Sequence, residues 1–321
     1  MSDEIKALLE RHAPDLITEK SGRLVTDTTE FMSIGPGDVI RAGDRHYFVL
    51  RDEIERSFGT EDPKYWVKRC RTLETGERAI LKLEFYESFP VRLGSVEIEC
   101  FRSPRKEARI LDLVRGDLRF MQGRSVDDEA GNNVRILDIV WGRPLAEYIE
   151  NLDMSHEEYM SAVLPGMLEQ FCESCRAIGF LHEHGENHGD IRRDHLFRER
   201  ETGAFRWIDF DYTYEFRENP FGLDLFGLGN LLLHMVGKGF CTTYSMGQPN
   251  FDGCLDGPFY EDDFSLLFKS RLVNLRKVYP HVPADLNWVL MHFSLGTPVT
   301  YDTVDEMLGE LEPCLAGLHR E

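Results

Sequence analysis

The sequence predicts an α+β chain in two parts, an antiparallel sheet with one helix followed by a mainly helical region. Three observations carry this. Short runs of strand-forming residues between turn residues fill the first part: Tyr47 to Leu50, Tyr65 to Val67 and Ala79 to Phe85. A single helical segment, around Pro104 to Val114, follows the third of them. From Leu164 onward the apolar residues repeat at helical spacing instead, through Met167, Leu168, Phe171, Cys175, Ile178 and Leu181. A sheet-rich part and a helix-rich part suggest two lobes with a ligand cleft at their join.

Taken in order, residues 3 to 12 carry Ile5, Leu8 and Leu9 on one helical face behind Ser2 and Asp3, a cap followed by a short amphipathic helix. Gly35-Pro36-Gly37-Asp38 and Gly43-Asp44 are turn signals that open the sheet region. Thr75-Gly76-Glu77 reads as a hairpin turn between the second and third strands. Beyond the helix come two more strands, Arg119 to Val126 and Val134 to Val140, joined by a polar stretch over 127–133 and ending near Gly142-Arg143-Pro144. Residues 226–236 form a strongly apolar helix, and 284–293 and 304–315 two more. The expected division is an extension over 1–45, a sheet lobe over 46–142 and a helical lobe over 143–321.

The composition is that of a globular chain, 42% hydrophobic and 29% charged over 321 residues. A formal charge of −20 argues against a general nucleic-acid or anionic-membrane binder, whose surfaces gather Lys and Arg. Any phosphate site has to be built locally. No apolar run reaches about 18 residues, and the start, Met1-Ser2-Asp3-Glu4, is acidic. Neither a transmembrane segment nor a leader is expected, and a cytoplasmic setting is. The seven cysteines are scattered, which points to reduced thiols. Cys172 and Cys175 form a C-x-x-C inside a helical pattern, with no second pair at zinc spacing.

The chemistry concentrates in His188 to Phe197 and in Arg206 to Asp211. Two short strands around a turn at Thr202-Gly203 bring Asp190 and Asp209 to one mouth. A carboxylate beside a substrate hydroxyl accepts its proton as attack begins, and a second holds the magnesium that bridges ATP phosphates. Arg192, two residues past Asp190, is placed to meet a transferring phosphoryl group. Such residues suit phosphoryl transfer, in which positioning and charge neutralisation dominate. Asp211 reads as a helper ligand or a cap, His188 as a packed core histidine, and Arg198 and Arg200 as a solvated face. In the first part Lys82 sits in an apolar strand that reads as central, and a buried lysine needs a partner. Glu107 offers one, with Glu97 and Glu99 as rivals.

Several runs now join into a pattern. Ala79-Ile-Leu-Lys82 is similar to a Val-Ala-Ile-Lys strand, and Lys106 to Leu111 offers Glu107 to it. Leu137 to Ile149 looks like a hinge and the short helix after it. Ala177 to Asp190 resembles the end of a long helix entering a catalytic loop, Asp209-Phe210-Asp211 stands where Asp-Phe-Gly is expected, and Asp224 to Met235 resembles a buried helix whose Asp clamps that loop. Over residues 46 to 315 the chain thus resembles the protein-kinase-like superfamily. The resemblance implies a bilobal fold, ATP with Mg2+ or Mn2+, and a hydroxyl-bearing acceptor. It assigns Lys82 and Glu107 to the ATP phosphates, Asp209 to the metal, Asp190 to catalysis and Asp224 to a structural clamp.

The departures from that pattern are specific. The Gly-rich phosphate loop is reduced to Gly59 within Arg56 to Lys64. Gly189 stands where many kinases carry the Arg that reads an activation-loop phosphate, so that switch is not expected. His195 occupies the position of the Asn that holds a second magnesium, which leaves a single metal or a manganese preference open. Only 15 residues separate Asp209 from Asp224, and Tyr301 stands in place of the Arg that pairs with the missing Ala-Pro-Glu. The expected activity is transfer of the γ-phosphate of ATP to a hydroxyl, that of a protein Ser or Thr, or of a small molecule such as a lipopolysaccharide sugar. The alternative is a pseudokinase that binds nucleotide or acts as a scaffold.

Overall fold

The antiparallel sheet expected from the first part is present and larger than the sequence suggests. The structure, a computed structural model, describes residues 3–16, 22–57, 60–93, 96–255, 257–297 and 299–318. Its strands are β1 (Leu24–Val25), β2 (Val39–Ala42), β3 (Arg45–Ser57), β4 (Thr60–Thr72), β5 (Arg78–Lys82), β6 (Ser88–Leu93), β7 (Val96–Arg102), β8 (Gly123–Asp127), β9 (Asn133–Asp138), β10 (Gly142–Pro144), β11 (Leu196–Glu199), β12 (Phe205–Trp207) and β13 (Tyr212–Tyr214). The helices are α1 (Asp3–His12), α2 (Pro104–Leu113), α3 (Leu145–Glu150), α4 (His156–Ala162), α5 (Leu164–Glu183), α6 (Gly222–Val236), α7 (Ala284–Met291) and α8 (Val304–Leu318). The chain falls into two units, residues 1–87 with 102–140, and residues 88–101 with 141–321.

The first unit is a seven-stranded sheet in the order β1-β2-β3-β4-β5-β9-β8, with β1 parallel to β2 and the other pairs antiparallel. Alternation along the strands gives it two apolar faces. Ile40, Val49, Leu81 and Val134 pack on one. Val39 and Phe48 turn to the other, where Ile5, Leu9 and Ala13 of the N-terminal segment cover them. Residues 24–25 and 39–42, set apart in the sequence as an extension, are strands of this sheet. The turn at Gly76 forms as expected, with φ +75° and the Thr72 amide donating to the Glu77 carbonyl at 2.8 Å. Ser2, offered as a cap for α1, and Gly59, between β3 and β4, lie outside the described residues.

The second unit is built on α5, whose apolar repeat is buried along its length. α8 packs beside it, and Trp207 of β12 donates its indole N–H to the Ser174 carbonyl at 2.9 Å. Two small sheets complete the unit, β10-β11-β12 and β13-β7-β6. The β6–β7 hairpin has no counterpart in the expectation from sequence. All seven cysteines are free thiols; burial pushes Cys172 up to about 11 and Cys175 well above its ordinary value, which makes them inert packing groups. Among the described residues no helix is long and apolar enough to cross a membrane.

Because Ile5 and Leu9 are almost fully buried one helical turn apart, α1 is held by packing and not by its own helix propensity. Leu9→Ala should lower the unfolding free energy by about 2–5 kcal/mol, measured by denaturant titration. A loss under half a kcal/mol would mean that α1 does not dock.

Candidate active site

In the first unit a buried cluster of charged side chains is set by strand register. Lys82 of β5 pairs directly with Arg135 of β9, and direct partners in an antiparallel pair leave the sheet on one face. α2, opened by Pro104 in its first turn, brings Glu107 to that face. Lys82 Nζ lies 2.8 Å from Glu107 Oε1, and Arg135 Nε donates to Glu107 Oε2 at 3.1 Å. Arg135 also donates to the carbonyls of Asn133 and Leu83, each at 3.2 Å. Glu107 and Arg135 are fully buried and Lys82 nearly so. The sequence pairs Lys82 with Glu107 but does not reveal Arg135, which sits on a strand remote in the chain.

In the second unit α5 ends at Glu183, and Gly185 just beyond it, with φ +74°, turns the chain into the loop that carries Asp190. Asp224, near the start of α6, accepts from the amides of His188 at 2.6 Å and Gly189 at 2.9 Å, and meets His182 Nε2 at 3.0 Å. Burial works against the Asp224 charge, but these bonds outweigh it and hold the carboxyl below the usual range. Gly189 has φ +84°, and a β-carbon there would lie 1.8 Å from the Tyr212 carbonyl oxygen. No arginine fits at this position. His188 is a core residue, set edge-on against Trp207 and Phe210.

Asp190, Arg192, His195 and Asp209 meet in this loop. Arg192 Nη2 lies 2.8 Å from His195 Nε2, and His195 Nδ1 lies 2.8 Å from the Asp190 carbonyl. Guanidinium only donates, so Nε2 accepts and Nδ1 carries the proton. His195 stands between the two acids, 3.4 Å from Asp190 Oδ2 and 3.6 Å from Asp209 Oδ2. Arg192 reaches Asp190 Oδ1 at 3.4 Å and Asp194 at 3.3 Å. Burial raises the Asp190 carboxyl above its usual range; His195 and Arg192 oppose this, and the charges of Asp209 and Asp211 add to it. Asp209 adopts φ +63°, a region that a non-glycine residue enters at a cost.

Asp211 is fully buried, and a carboxylate oxygen of it lies within 4.8 Å of one of Asp209. Two such oxygens fit one hard divalent cation, and the Asp-x-Asp spacing was the signal for it. The chain after them is not an open segment. β13 pairs with β7, and Asn219 donates to the Asp302 carbonyl at 2.9 Å. Tyr301, where an Arg was missing, is buried and donates to Glu310 at 2.8 Å.

The depressed Asp224 carboxyl makes a signed prediction. Its contribution to stability is complete above about pH 4, the range of an unfolded aspartate, and is lost as pH falls through the lower folded value. Asp224→Asn should cost about 3 kcal/mol at neutral pH and show a shallower acid limb below about pH 4 in denaturant titrations. Parallel acid limbs for the two proteins would exclude this role.

No family model matches the chain, and no curated protein sequence matches it. Among solved structures it is similar to the crystal structure of the BubR1 kinase domain, with a TM-score of 0.50 and 13% identity, over 100% of this chain and 95% of that one. At that identity the likeness is one of fold: the chain has a mixed α+β, kinase-like fold.

Proposed function

We propose that the chain is an ATP-dependent phosphotransferase that moves the γ-phosphate of ATP to a hydroxyl group. The observation that supports this best is the acid cluster of the second unit, where Asp190 and Asp209 flank His195 and Asp211 lies beside Asp209, whose backbone is in a strained conformation. Asp209 and Asp211 are assigned to Mg2+ or Mn2+, which would neutralise phosphate charge when bound. Asp190 orients the acceptor hydroxyl and takes its proton; its raised pKa makes it a stronger base than an ordinary aspartate. Lys82, steadied by Glu107, is assigned to the nucleotide phosphates. Arg192 turns from Asp190 and Asp194 toward the transferring phosphoryl group. His195 would offer Nε2 to a metal only with Arg192 turned away from it, and through Nδ1 it holds the Asp190 carbonyl.

A small-molecule hydroxyl, such as that of a sugar, suits the site better than a peptide. Residues 212–221 begin as a strand of the β13-β7-β6 sheet and are tied to Asp302, which leaves little chain to dock an extended peptide.

Asp190→Ala should keep the ATP- and metal-dependent rise in melting temperature while losing about 10²–10⁴-fold in phosphate transfer. Asp209→Asn should lose the metal-dependent part of the rise, and Lys82→Met should weaken the nucleotide-dependent part. Incorporation of labelled γ-phosphate is expected in a sugar and metabolite pool. Label confined to proteins would replace that acceptor with Ser or Thr. Nucleotide binding with no Asp190-dependent transfer to any pool would make the chain a binding scaffold.

A further inference from the structure

In a chain with a formal charge of −20, three arginines of the second unit stand together without a counter-charge. Arg143 on β10 and Arg198 on β11 are direct partners across the antiparallel pair, so they leave the sheet on one face, an arrangement that is destabilising for like charges. Arg200 follows just beyond β11, where its amide donates to the Trp141 carbonyl at 2.8 Å. With Gly142 and Tyr148 these three line a groove of about 280 Å³. Among the described residues none of the three has a carboxylate within 4.0 Å. Their neighbours do: Arg206 pairs with Glu199 at 2.9 Å and Arg193 with Glu150 at 2.8 Å.

The groove is also shaped in advance. The Arg198 guanidinium lies over the Tyr148 ring, 4.4 Å from its centroid. Gly203, at φ +72°, gives it room, since a β-carbon there would come within 3.0 Å of Arg198 Nη2. Gly142 lets β10 approach β11, because a β-carbon would lie 2.3 Å from the Arg198 carbonyl oxygen. Two glycines and an aromatic face thus fix one guanidinium, and two exposed ones flank the same space.

We propose that this groove binds a small phosphate-bearing anion, with two linked phosphates as the best match. One phosphomonoester carries roughly two negative charges at neutral pH, and a diphosphate about three, which equals the three guanidinium charges. Arginine forks take phosphate oxygens in pairs. The strongly acidic remainder of the chain repels an extended polyanion such as nucleic acid, which favours a compact ligand. The group comes either as the free inorganic ion or as part of an ester.

The test is isothermal titration of the full chain with inorganic diphosphate at low ionic strength. Diphosphate should bind once, more tightly than orthophosphate or sulfate. The affinity should fall roughly tenfold or more in Arg143→Gln/Arg200→Gln, whose side chains are exposed and not needed for folding, and should be unchanged in Lys82→Met. Methyl diphosphate binding more tightly than the inorganic ion would identify an ester as the source, and equal or weaker binding the free ion. Absence of binding at millimolar diphosphate, sulfate binding as tightly, or binding that survives in the double variant and is lost in Lys82→Met would overturn the proposal.

Discussion

The backbone amides of His188 and Gly189 point inward at a bend that belongs to no helix or strand, and one buried carboxylate, Asp224, answers both. An unanswered buried amide costs about as much as a lost hydrogen bond, so the bend exists only while Asp224 stays charged and in position. His182, stacked on Phe221 at 4.1 Å, fixes that position from the end of α5. The end of one helix, the start of another and the loop between are therefore a single construction. Asp190 inherits its orientation from it. The same bend brings Gly189 against the Tyr212 carbonyl, so the strand after Asp211 is set by the loop before it.

The first unit solves a different problem. Glu107 is shared by an ammonium and a guanidinium, and these three buried side chains together carry a net positive charge. Burial of ions is expensive, and an apolar trio of equal volume would serve stability at least as well. Lys68 shows the ordinary solution on the same sheet, one buried ammonium with one carboxylate, Asp52, at 2.6 Å.

Legibility in the sequence followed chain distance. Lys82, Asp190, Asp209 and Asp224 stand in short contiguous runs whose neighbours identify them. Arg135 and the Arg143–Arg198 pair owe their places to strand register, in one case between β5 and β9, which are separated by three strands and a helix. Alternation tells which face a residue takes but not which strand lies beside it. The β6–β7 hairpin went unseen for another reason. Val91 and Leu93 alternate properly and Gly94-Ser95 is a turn signal, but Pro90 argues against a strand. β6 is the outer strand of its sheet, where proline is tolerated. Asp211 was visible as a cap or a helper ligand, and what the sequence did not reveal is its full burial beside Asp209.

Asp209 is the described non-glycine residue, apart from Lys238, whose backbone lies in the left-handed region. Asparagine and glycine are more at ease there. A laboratory population screened for heat resistance alone would drift toward Asn or Gly at position 209, gaining robustness as it discards the carboxylate. Persistence of aspartate under such a screen would signal a pressure other than durability acting on this one torsion angle.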